Sequence, residues 1–145
     1  MARFKFHLEP VLRQRQAKEE AAEQALYMAH SEHNMRLAVL ENTKNRLEQS
    51  LAAHERVGID VFEEMQLSFY RESLSEKIIT QAEDVGKAAV AVEERRKKAV
   101  QARQDRQVIE KLKDKHLDNY RRAEEAREQK LVDEMALYSH FRAGK

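Results

Sequence analysis

His30 and His33 stand three residues apart, a spacing at which two imidazoles on one helix face can share a divalent cation. No carboxylate completes a ligand set on that face, because Glu32 points elsewhere. None of the six histidines has Glu three residues before it, the pattern that di-metal helix bundles need on facing helices. The pair therefore reads as two polar members of a helix seam. Carboxylates abound, yet glutamates on an exposed helix lack the pocket that shifts a pKa for acid–base work. Three glycines supply neither a dinucleotide fingerprint nor a phosphate loop. The absence of cysteine removes disulfides, thiolate chemistry and Cys-type zinc sites. The residues point to a protein that is not an enzyme and uses no cofactor or metal.

Charge narrows the partners. Lys and Arg number 27 against 26 for Asp and Glu, whereas nucleic-acid binders show a positive excess. The most basic run, Arg95 to Lys98, follows Glu93 and Glu94, so that Glu93–Lys97 and Glu94–Lys98 pair one helical turn apart. That run is a solvated helix face, and no nucleic acid is expected. No stretch approaches the roughly 20 apolar residues that span a bilayer. Residues 61–79 have apolar bulk but carry Asp60, Glu63, Glu64, Glu72 and Glu76 in or beside them, which anionic lipid repels. No direct membrane insertion is expected. The first eight residues lack the continuous apolar run of a secretion signal, so the expected location is a reducing cytoplasm.

Helices must carry whatever surface does the work. Charged residues make up 37% of the chain and hydrophobic ones 41%, and Pro10 is the single proline. Such a composition gives a few long helices that lean on one another. Phe4, Phe6 and Leu8 alternate with charged residues, which suits an extended segment, and Pro10 fits a first helical turn. Leu12, Leu26, Leu40 and Leu47 share one heptad position, with Leu37, Lys44 and Leu51 expected at the complementary one. Gly58 suits a C-cap, while Asp60 with Glu63 and Ser73 with Glu76 are capping-box patterns. Leu74, Ile78, Val85, Val92 and Ala99 form a second seam, joined by Ile109, Leu112, His116 and Tyr120. Its phase is expected to slip at 102–109, where Arg103 and Arg106 fall on apolar positions. Leu131, Met135, Tyr138 and Phe141 close the chain. Gly86 sits inside this helix at a cost of about 1 kcal/mol relative to Ala.

The expected fold is all-α, a long antiparallel two-helix coiled-coil hairpin with a candidate short helix at its head. Residues 1–145 form a single rod-like unit. The first helix covers about 9–56, a turn with the short helix 57–73, and the second helix 74–142. The second helix outreaches the first and leaves an overhang, with the two termini at or near one end.

The two ends carry a resemblance. Phe4, Phe6, Leu8, Glu9, Val11, Leu12 and Arg15 are spaced as in the opening of the flagellar export protein FliJ family. Glu128 to Glu134, with Ala136, Phe141 and Arg142, resembles that family's closing motif. Leu131-Val132 stands where the family often has a polar residue and Leu. The middle matches only as generic coiled coil.

The resemblance implies a cytoplasmic component of the bacterial flagellar type III export apparatus, serving motility and chemotaxis from the flagellar base beside the inner membrane. It further implies a two-helix stalk, similar to the central subunit of rotary ATPases. The stalk enters the ring of the export ATPase FliI, promotes its assembly and activity, and contacts the export-gate protein FlhA and export chaperones. On that reading Phe4, Phe6, Leu8, Leu12 and Arg15 join Gln129, Lys130, Asp133, Glu134 and Phe141 as the ring-contacting stem. For Leu8, Leu12 and Phe141, zipping the helices together is an equal alternative. Tyr70, Leu74 and Ile78 form a stripe near the head and are the gate-contact candidates, chosen for expected exposure. Competing readings are a structural spacer, a prefoldin-like chaperone, or the stalk of a related secretion or rotary ATPase.

Overall fold

The computed structural model describes residues 4–53, 58 and 60–144. The chain is all-α: α1 spans Glu9–Ala52, α2 spans Val61–Ala143, and the two pack antiparallel. No strand occurs among the described residues. Contacts group into two units, Met1–Glu19 with Ala102–Lys145, and Glu20–Gln101.

The start of α1 follows from its local chemistry. Leu8 offers its carbonyl to the Leu12 N–H at 2.9 Å, and Pro10 occupies the first turn, where its missing N–H leaves nothing unpaired. Arg56, the expected end of this helix, lies outside the described residues. Gly58 adopts φ 109°, a conformation that L side chains rarely take. Asp60 then gives its carbonyl to the Glu64 N–H at 3.0 Å and opens α2.

α2 passes through Ser73 without interruption. Residues 61–72 are its first turns and not a separate short helix, and α2 begins well before the expected residue 74. A Ser-x-x-Glu pattern can cap a helix that has to start, but it is tolerated inside one already nucleated.

Most shielded residues of α1 follow a heptad, with Glu9, Val11 and Ala25 beside it. Leu12, Glu19, Leu26, His33, Leu40 and Leu47 hold one position; Arg15, Ala22, Ala29, Arg36, Thr43 and Ser50 hold the other. Leu37, Lys44 and Leu51, expected at that second position from their spacing, are exposed. They lie one residue past Arg36, Thr43 and Ser50, about 100° around the helix. On α2 the spacing runs through Ile78, Val85, Val92, Ala99, Arg106, Lys113 and Tyr120. No phase slip occurs at 102–109, because Arg106 keeps its place in the seam.

Each unit has a thin interior. In Glu20–Gln101, Leu40, Leu74, Ala88 and Ala99 are buried beside Thr43 and Ser50. The Thr43 hydroxyl donates to the Val39 carbonyl at 3.0 Å, which satisfies it without a cross-helix partner. In the other unit Phe6 and Leu12 are buried, together with Glu19. A buried Leu or Phe contributes about 1.5–3 kcal/mol, so each unit rests on a few such residues.

Candidate interaction surfaces

In the unit formed by Met1–Glu19 and Ala102–Lys145, the opening motif is spent largely on joining the helices. Phe6 is buried edge-on against His116, ring centroids 5.8 Å apart, and Phe4 meets Tyr120 at 5.5 Å. Leu12 is buried and Leu8 half-buried. Glu9 accepts from Lys113 Nζ at 2.8 Å, and Arg15 Nη1 donates to Asp105 Oδ2 at 3.2 Å.

One turn beyond Arg15 sits a charged layer at the place where a slip of phase is expected. Glu19, 9% exposed, accepts from Arg106 Nε and Nη2, while Arg106 Nη1 donates to Glu110. Arg103 Nε approaches Glu19 at 3.5 Å. The hydrogen bond to Glu19, then that to Glu110, raises the Arg106 pKa, so the guanidinium stays charged at any ordinary pH.

The closing motif lies elsewhere on the same unit. From Arg121 to Gly144 only Glu124 is even partly shielded. Gln129 Nε2 donates to Asp133 Oδ1 at 2.9 Å along the helix, and Lys130 and Glu134 are exposed. Leu131, Val132, Met135, Leu137, Tyr138 and Phe141 are exposed too, Phe141 to 75%. Phe4 packs on Tyr120, and the 21 helical residues from there to Phe141 span about 30 Å. The two motifs are thus not brought side by side. The first holds α1 to α2, and the second forms a bare helical extension. Leu131, Met135, Tyr138 and Phe141 are not seam residues.

The gate-contact stripe is altered in a similar way. Leu74 is 3% exposed and belongs to the seam, Ile78 is half-buried, and Tyr70 alone of the three is exposed. Exposure at a tip therefore does not apply to Leu74. Val61, Phe62, Met65, Phe69 and Ile79 are the open apolar residues of this part of α2.

One structural residue has no apolar signal in the sequence. Arg71 Nε donates to Ser50 Oγ at 3.1 Å, its Nη2 donates to the Ser50 carbonyl at 2.6 Å, and its Nη1 lies 3.6 Å from Glu64. α1 has no basic side chain in its own last turn, so Arg71 of α2 supplies the cation and donors its terminal carbonyls need.

His30 is exposed and His33 half-buried in the seam, and no group of three or more potential metal ligands occurs among the described residues. Nor is any helix among them long and apolar enough to cross a membrane.

No curated protein and no solved structure matches this chain. A family model does: the one described as Flagellar FliJ protein matches residues 4–145, from the first phenylalanine of the opening motif through the bare extension. Two antiparallel helices with an exposed, motif-bearing end and a match over essentially the whole chain lead to one conclusion: the protein belongs to the flagellar FliJ family, the non-catalytic components of the flagellar export apparatus.

Proposed function

We propose that the protein is a stalk that enters the ring of the export ATPase FliI, promotes ring assembly and hydrolysis, and links the ring to the export gate FlhA and to export chaperones. The observation that carries this reading is the uncovered end of α2, where Leu131, Met135, Tyr138 and Phe141 face outward among Gln129, Lys130, Asp133 and Glu134. A helix apolar on several sides, with no second helix beside it among the described residues, suits a socket that surrounds it. Contacts that differ among the ring's subunits would bias their conformations, which is how a non-catalytic protein can alter a catalytic rate.

Roles divide accordingly. Gln129, Lys130, Asp133, Glu134 and Phe141 contact the ring. Phe4, Phe6, Leu8, Leu12 and Arg15 fix α1 against α2 and so set where the bare extension begins. Tyr70, with Phe62 and Phe69 in place of Leu74 and Ile78, faces the gate. The site of action is the cytoplasmic face of the inner membrane at the flagellar base.

The test is a pull-down with the export ATPase, followed by ATP hydrolysis measured with and without the protein. Binding and a raised rate are expected. Absence of both moves the protein to a spacer or chaperone role within the apparatus.

A further inference from the structure

A surface of the Glu20–Gln101 unit has no part in the reading above. Two shallow hollows of 380 and 510 Å³ share Glu32 and Met35, making one groove along α1 with Ala91 and Arg95 of α2 on its far wall. Met28, Met35 and Val39 follow this face at helical spacing and stay 64%, 68% and 52% exposed. The seam beneath interleaves the small residues Ala22, Ala29 and Ala88 with Leu26, His33, Val85 and Val92, and of these only Ala88 is fully buried. An apolar stripe beside a thin seam suits a surface on which a further helix can pack.

The charges on the rim identify what closes it. Glu32 and Arg36 lie one turn apart with opposite signs; Arg36 Nη2 donates to Glu32 Oε1 at 2.6 Å and its Nη1 is 4.0 Å from Asp84. We infer that the groove is the twofold interface of a homodimer, in which a second copy lays its own Met28–Val39 face antiparallel on the first. A twofold axis crossing α1 between Glu32 and Met35 sets Met28 against Val39 of the second copy. The same axis brings the two Met35 side chains near one another and places each Arg36 beside the opposite Glu32. The order of signs along the rim is thus complementary to its own reversal. Such an isologous contact closes at two copies and does not propagate. Methionine suits the surface, since its unbranched chain repacks against an identical neighbour at little cost.

Sedimentation equilibrium of the full chain tests this, with circular dichroism confirming that each variant keeps its helices. The unaltered chain is expected to show a monomer–dimer equilibrium, and Met35→Glu to raise its dissociation constant by about tenfold or more. The decisive arm uses charge. Arg36→Glu alone and Glu32→Arg alone should each be monomeric, because each sets like charges across the axis. Mixed in equal amounts they should form a heterodimer. The mixture isolates the contact between copies, because both variants have lost the pair within their own α1. A chain monomeric at every concentration overturns the inference and leaves the groove to a helix of a different protein. A mixture that stays monomeric overturns it as well.

Discussion

Arg71 of α2 grips Ser50 of α1 twice, at the hydroxyl and at the carbonyl, with only 16% of its own side chain exposed. α1 ends two residues later, so this guanidinium satisfies a backbone group that the helix itself leaves open. Arg71→Leu keeps the bulk and removes the donors. It should cost about 1–3 kcal/mol, the usual penalty for stranding a shielded polar group, and should speed amide exchange over the last turn of α1. Urea unfolding and hydrogen exchange measure the two effects. Unchanged exchange in that turn would show that the cap is idle.

Glu19 and Arg106 form a second cross-helix pair, placed in the seam itself. Removing one partner leaves the other shielded without compensation, whereas removing both lets apolar side chains meet. Glu19→Leu alone should lower the thermal midpoint by several degrees, and Glu19→Leu with Arg106→Leu should recover most of the loss or exceed the original. With the Arg106 pKa raised, its share of stability is present in full below the ordinary arginine value and is lost as pH rises through the raised one. Loss of the arginine charge should weaken the pair in strong alkali. Melting curves of the singles and the double form the cycle that checks the coupling.

Gly86 is exposed within α2, and a Cβ built there meets nothing within 4 Å. Gly86→Ala should therefore stabilise the protein by about 1 kcal/mol through helix propensity alone. A shift of the denaturation midpoint at constant slope is the readout.

These pairs show what the sequence could and could not disclose. Leu12, Leu40 and Leu74 announce the helices because leucine at heptad spacing has one common explanation. The second seam position of α1 does not, since Arg36, Thr43 and Ser50 fill it; their partners, Asp84, the Val39 carbonyl and Arg71, are visible only once the chain folds. Arg106 looked like a break in phase for the same reason, as Glu19 lies 87 residues away. Leu74 reads both as a seam residue and as a member of the Tyr70–Ile78 stripe, and only packing decides between them: it is buried while Tyr70 is exposed. The closing motif was legible as a motif, but its separation from Phe4 depends on where α1 stops covering α2.

Leu74 and Phe62 separate packing from recognition. Leu74→Ala opens a cavity in the seam and should cost about 2–5 kcal/mol. Phe62→Ala and Phe69→Ala alter exposed side chains and should leave stability within about 0.5 kcal/mol. If this part of α2 meets the export gate, the exposed pair should lower gate affinity while melting stays unchanged. An affinity loss confined to Leu74→Ala would reflect unfolding and would argue against the contact.

The bare end of α2 gives the sharpest division. A chain ending at residue 125 keeps Phe4 on Tyr120, Phe6 on His116 and Lys113 on Glu9, so its melting should match that of the full chain closely. It loses Leu131, Met135, Tyr138 and Phe141, whose burial in a ring would supply most of the apolar contact. Stimulation of the export ATPase should disappear with it. Phe6→Ala makes the opposite prediction: it removes a buried ring from the pairing of α1 with α2 and should cost about 3 kcal/mol, yet leave residues 129–141 chemically intact. At temperatures where that variant remains folded, stimulation should persist. If the shortened chain stimulated hydrolysis as well as the full one, the contact would have to lie on the paired helices, with the half-buried Phe4 and Leu8 the candidates that remain.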